Sequence, residues 1–171
     1  MRRTKPPAIC FVGTSNSGKT TLITKLIAIF QRRGLRVGAI KHHQHDFTID
    51  KENKDSWRLT QAGAEMTVIT APTQTALIRK TNHQLEPEMI ISTYFTELDL
   101  VLVEGFKESN LPKIEVCRSR EPTALICRGG RNDPNLLAVA AKRNWQLDVP
   151  VFSLDDLKNL AIFVLDFCQL L

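Results

Sequence analysis

Apolar positions along the chain fall into two patterns. Short continuous apolar runs bounded by glycine or polar residues mark strands covered on both faces, while apolar residues three and four apart mark amphipathic helices. Ala8-Ile9-Cys10-Phe11-Val12 is a run of the first kind and ends at Gly13. Between Thr20 and Arg33, Leu22, Ile23, Leu26, Ile27 and Phe30 follow the second spacing, and Gly34 supplies a stop. Arg36 to Lys41 reads as the next strand. The first 41 residues therefore predict a strand, loop, helix, strand unit with a right-handed connection.

Gln44 to Asn53 is polar and without core periodicity, which predicts a functional loop, and Asp55 is placed to cap a short helix ending near Gly63. Met66 to Ala71 and Thr75 to Lys80 are β-rich and separated by Pro72-Thr73-Gln74, which predicts a hairpin and some antiparallel pairing in the sheet. Pro87, between Glu86 and Glu88, suits the first turn of a helix with Ile90, Ile91, Tyr94 and Phe95 inward. Asp99-Leu100-Val101-Leu102-Val103 is the most strand-like run and delivers Glu104 to a strand's carboxyl end, where ligands of α/β sheets gather. Lys113 to Cys117, Leu136 to Ala140 and Val149 to Phe152 supply three further strands, interrupted by Gly129-Gly130 and Asp133-Pro134 turns. Ser153 and Asp156 have capping-box spacing ahead of a final helix with Leu157, Leu160, Ala161, Val164, Leu165 and Cys168 inward.

With 171 residues, 43% of them hydrophobic and 24% charged, the chain is expected to form a single globular domain over residues 1–171. The net charge of +5 suits anionic ligands without choosing among them. Cys10, Cys117, Cys127 and Cys168 form no C-x-x-C pair, which favours a reducing, cytoplasmic compartment. The basic Met1 to Pro7 start is followed by too short an apolar stretch for a secretion signal, and no apolar run approaches a membrane span.

The chemistry concentrates at Gly13-Thr14-Ser15-Asn16-Ser17-Gly18-Lys19-Thr20, which completes the G-x-x-x-x-G-K-[ST] pattern between a buried strand and an amphipathic helix. In such a loop the backbone N–H groups and the helix N-terminus cradle phosphate oxygens, Lys19 reaches the β- and γ-phosphates, Thr20 takes magnesium, and Thr21 bonds a further oxygen. The expected class is thus α/β: a three-layer P-loop NTPase fold with a mixed, mostly parallel sheet flanked by helices and one β-hairpin. Magnesium needs a carboxylate as well, and Glu104 is preferred to Asp99, which lies at the other end of its strand. Asp50 and Asp55 occupy a switch-like loop near the γ-phosphate, although solvation or helix capping explains them equally. His42, His43 and His45 raise a transition-metal site, but at most His43 and His45 share a face. Lys41 and Asp46 are read as lining a nucleotide or partner surface, although solvent-exposed loop polarity explains them about equally. Arg118, Arg120, Arg128 and Arg131 read as a solvated rim, because no aromatics interleave with them as nucleic-acid binding requires. No membrane or nucleic-acid partner is expected.

Taken together, the Gly13 to Thr21 loop, Lys41-His42, Lys54-Asp55-Ser56, Ala62-Gly63-Ala64 and Val103-Glu104-Gly105-Phe106-Lys107 resemble the molybdopterin-guanine dinucleotide biosynthesis adaptor family, MobB, over nearly the whole chain. The resemblance implies a GTP-binding homodimer with weak magnesium-dependent GTPase activity. It also implies a partner, the guanylyltransferase that attaches GMP to the molybdenum pterin cofactor, with molybdopterin as a further ligand. By position it makes Gly13, Gly18, Lys19, Thr20 and Thr21 phosphate ligands and Glu104 the magnesium-side carboxylate. No Asn-Lys-x-Asp base-reading motif occurs; Ala140-Ala141-Lys142 could supply backbone contacts to a base, but core packing followed by a surface lysine is the preferred account. A pure binding module, a small-molecule kinase and a metal-delivery GTPase are the competing readings of the same loop.

Overall fold

A computed structural model describes residues 5–43, 45–129 and 132–171. Residues 1–4 of the basic start, Gln44 of the polar loop, Gly130 of the Gly-Gly turn and Arg131 of the basic cluster lie outside the described residues. The chain forms two compact units, residues 1–42 with 86–171, and residues 43–85.

The larger unit is built on six strands, β1 (Ala8–Val12), β2 (Val37–Lys41), β5 (Leu100–Glu104), β6 (Lys113–Cys117), β7 (Leu136–Ala141) and β8 (Val151–Ser153), while β3 (Met66–Ala71) and β4 (Gln74–Arg79) belong to the smaller unit. Their order is β2-β5-β1-β6-β7-β8, and every pairing is parallel. All the strands therefore end at one edge. β1 lies between β5 and β6, and it is here that the chain, having built toward β2, turns to build the other way. A crevice outside the carboxyl ends of the strands at such a reversal is where open α/β sheets bind ligands.

Helices α1 (Lys19–Arg32), α3 (Pro87–Tyr94) and α4 (Leu157–Phe167) cover this sheet. Alternation along β1 divides the core in two: Ile9 and Phe11 pack with Leu26 and Phe30 of α1 and Leu160 and Val164 of α4. Ala8, Cys10 and Val12 face a second cluster with Ile91 of α3, Phe106 and Leu125. Each fully buried Leu, Ile or Phe contributes about 1.5–3 kcal/mol, so the two clusters fix the sheet edge firmly. Among the described residues no helix is long and apolar enough to cross a membrane.

Several details differ from the sequence pattern. The last helix is capped by Asp156, whose carboxylate accepts from the Asn159 amide at 3.3 Å, while Ser153 closes β8 and accepts from the Asp155 amide. In α3 the helix buries Pro87 and Ile91 and leaves Tyr94 exposed, because one eight-residue turn pair has room for a narrow inward face. The charged positions of β6 are not on the surface: Lys113 and Glu115 are fully buried. Lys113 donates to the Ser109 carbonyl and pairs with Asp133 at 3.2 Å, and Glu115 accepts from the Ile126 and Cys127 amides at 2.7 and 2.9 Å. Burial of such groups is tolerable only with partners of this kind.

The smaller unit holds α2 (Asp55–Gln61) and the hairpin β3 (Met66–Ala71) with β4 (Gln74–Arg79). The hairpin is antiparallel with Val68 opposite Leu77, as its pattern predicts, but it forms a two-stranded sheet of its own rather than joining the parallel one. Lys54, not Asp55, occupies the N-cap of α2; Asp55 is in its first turn, where a carboxylate favours the helix dipole. Thr60 of α2 and Thr67 of β3 meet at 2.9 Å between hydroxyls.

Candidate functional site

Four neighbouring strands deliver the site to one edge. β1 ends at Val12 and runs into the Gly13–Thr20 loop; β2 ends at Lys41, β5 at Glu104, and β6 at Cys117, with Arg118 next. Register does the rest, placing Glu104 opposite Phe11 on one side and opposite Lys41 on the other. A cleft of about 500 Å³ opens there, with Lys19, Thr20, Lys41, Glu104 and Arg118 in its walls.

The loop needs its glycines. Gly13 and Gly18 have φ of +138° and +95°, and a Cβ on Gly13 would lie 2.3 Å from the Val116 carbonyl oxygen. Asn16 takes φ of +60°, a left-handed value that asparagine tolerates. Lys19 folds back over this backbone, its Nζ donating to the carbonyls of Gly13 at 3.0 Å and Thr14 at 2.8 Å. Burial lowers its pKa from the ordinary lysine value; Glu104 opposes that and Lys41 adds to it. Thr20 Oγ1 donates to Glu104 Oε2 at 2.7 Å, and Lys41 Nζ lies 3.4 Å from Glu104 Oε1. Ser17 is buried, and its hydroxyl has no hydrogen-bond partner among the described residues.

These observations fit an anion held with a divalent cation. An orphaned buried hydroxyl within a glycine loop, an ammonium resting on carbonyls, and a hydroxyl bonded to a carboxylate are groups prepared for ligands the folded chain does not itself provide. Gly13, Gly18, Lys19, Thr20 and Glu104 are thus brought together as the pattern predicts, with Thr14, Ser15 and Asn16 exposed on the loop and Thr21 in the first turn of α1.

The remaining candidates have surroundings of their own within each unit. Asp99, at the opposite end of β5, binds Arg36 through its backbone amide at 2.8 Å and its guanidinium at 2.9 and 3.2 Å. Asp50 and Asp55 belong to the smaller unit, where Asp50 Oδ1 accepts from the Lys51 amide and the Ser56 hydroxyl. Asp46 is exposed in that unit. The histidines do not act as a group: His42 stacks on Phe106 with ring centroids 4.4 Å apart, and His43 Nδ1 lies 3.1 Å from the His45 carbonyl. No three His, Cys, Asp or Glu side chains among the described residues are grouped to hold a metal. Of the arginine cluster, Arg128 is bound to Asp148 at 2.8 and 2.9 Å and Arg120 is exposed. Arg118 is the exception, and sequence spacing alone assigned it no place in the site. The signal was its position directly after a strand, but that counts only once β6 is known to adjoin β1.

Comparison with known proteins agrees with this geometry. Residues 8–142 match the family described as MobB, molybdopterin guanine dinucleotide synthesis protein B. The chain is 37% identical over 173 residues to the molybdopterin-guanine dinucleotide biosynthesis adapter protein of Escherichia coli K12, covering 98% of this chain and 96% of that protein. It is 34% identical to the adapter protein of the same name from Haemophilus influenzae, over 92% of this chain and 87% of the relative. The crystal structure of a MobB homologue from Bacillus stearothermophilus superposes with a TM-score of 0.72 at 30% identity, covering 95% of this chain and 97% of the other. Fold and sequence agree along the chain, which belongs to the MobB family.

Proposed function

We propose that this chain binds GTP with magnesium at the Gly13–Thr20 loop, hydrolyses it slowly, and serves as adaptor to the guanylyltransferase that forms the guanine dinucleotide of the molybdenum pterin cofactor. The observation that carries the site assignment is the 2.7 Å hydrogen bond from Thr20 to Glu104, which puts a hydroxyl and a carboxylate side by side next to a phosphate-sized loop. Thr20 and Glu104 would hold the magnesium, which supplies charge neutralisation of the β- and γ-phosphates when bound. Lys19 exchanges its two carbonyl contacts for phosphate oxygens, and the amides from Thr14 to Thr21 line the phosphate chain. Slow turnover is expected because no residue's spacing in the sequence identifies a group to orient the attacking water.

The adaptor role rests on the names and coverage of the relatives, above all the 37% identity to the Escherichia coli adapter protein. Molybdopterin belongs to the same reading as a further ligand. A homodimer is supported by the apolar side chains left open on the hairpin, Met66, Val68 and Leu77 among them. The free, buried thiols of Cys10, Cys117 and Cys127 suit a reducing cytoplasm.

Lys19→Ala is expected to abolish GTP binding by calorimetry while the fold persists; unchanged affinity overturns the site. Glu104→Gln is expected to lower magnesium-dependent phosphate release by about tenfold or more, the scale of a lost charged contact. Transfer of labelled γ-phosphate to an acceptor other than water would replace the adaptor reading with a kinase.

A further inference from the structure

Arg118 stands at the carboxyl end of β6, beside the loop that leaves β1. Its guanidinium lies over the start of α1: a Cβ built on Gly18 would come within 2.7 Å of Nη2 and 2.8 Å of Nε. The glycine therefore leaves room for the arginine as well as for the loop. The other two cations of the cleft are committed, Lys19 to carbonyls and Lys41 to Glu104. Arg118 takes part in none of the ion pairs formed among the described residues, which belong to Arg36, Lys41, Lys113 and Arg128.

Its position along the cleft is informative. Arg118 and Gly18 line both the main cleft and a smaller one of about 100 Å³, whose walls also include Thr21, Lys25, Lys142 and Asp155. Lys19, Thr20 and Glu104 line the main cleft alone. A phosphate chain whose terminal groups sit at Lys19 and Glu104 would thus reach Arg118 at its inner end, where a planar fork can hold an oxygen through two donors.

We infer that Arg118 clamps the α-phosphate of a nucleoside di- or triphosphate over Gly18, and that the nucleoside leaves through the smaller cleft toward Lys142 and Asp155. The inference rests on the nucleotide reading given above. An α-phosphate contact is shared by GDP and GTP, whereas a γ-phosphate contact belongs to GTP alone.

The test is calorimetric titration of GTP and GDP with magnesium into the full chain and its Arg118→Ala and Arg118→Lys variants, with circular dichroism melts as a control on folding. Arg118→Ala should weaken both nucleotides by about the same factor, ten- to a hundredfold for one charge-assisted contact, and Arg118→Lys should recover part of that loss. A loss confined to GTP would move the contact to the γ-phosphate and overturn the assignment. Equal binding by wild type and Arg118→Ala would remove Arg118 from the site while leaving the nucleotide reading intact. A wild-type chain that binds neither nucleotide would sink both.

Discussion

The two units of this protein handle apolar surface in opposite ways. In the larger one, β1 and β6 are buried along their whole length, and charged groups that enter the core are partnered there. In the smaller one, α2 buries no residue and β3 buries only Thr67. Seven of the eleven large apolar side chains exposed among the described residues are in it, which leaves its hairpin without a core of its own. A two-stranded sheet is marginal in water. The difference teaches that the site geometry is a property of the larger unit, held at a rigid sheet edge, while the smaller unit presents surface.

That contrast can be broken most forcefully at the buried ion pair. Asp133→Asn leaves the Lys113 ammonium buried without its counter-charge and is expected to cost about 3–5 kcal/mol, read from the urea midpoint; a loss below about 1 kcal/mol would mean that the pair does not hold the sheet. The cysteines test the same interior chemically. Burial pushes the Cys10 thiol up to about 11 and the Cys127 thiol to about 12, so each is protonated in the folded chain at pH 9. Iodoacetamide should label Cys10 about a hundredfold more slowly than an unfolded thiol, the factor for two pKa units. As pH rises past about 9, the unfolded chain sheds thiol protons that the folded chain keeps, so stability falls toward alkaline pH. Uniformly fast labelling would contradict a closed core. The smallest effect belongs to the hairpin: in dilute solution, where its face is open, Val68→Ala should change stability by no more than about 0.5 kcal/mol. A loss above about 2 kcal/mol at higher concentration that shrinks on dilution would show a second copy covering it.

Much of the larger unit was legible because its signals are local. The runs at Ala8–Val12 and Leu100–Val103, the spacing of Leu22, Leu26 and Phe30, and the loop pattern each specify an element from within. Glu104 was found by the same logic, as the residue that ends a strand. What was not legible depends on which strands become neighbours. β5 inserts between β1 and β2, a non-local choice that no segment encodes by itself. Arg118 became a site residue for that reason, since only the adjacency of β6 to β1 carries it to the loop. Lys113 and Glu115 likewise resemble surface charges until Asp133 and the 126–127 amides are seen to meet them. The hairpin was recognised from its β-rich runs, but whether it joined the main sheet turned on long-range pairing.

β5 spans the five steps from Asp99, fixed to Arg36, to Glu104, fixed to Thr20. At about 3.3 Å per residue it sets these anchors roughly 16 Å apart, and it does so like a ratchet rather than a spring. Removing one residue between them would not shorten the reach by a small amount; it would turn the Glu104 carboxylate to the other side of the sheet. The site can therefore drift in composition but not continuously in position, and changes of length in this family should collect in the connections, leaving this strand at a fixed count.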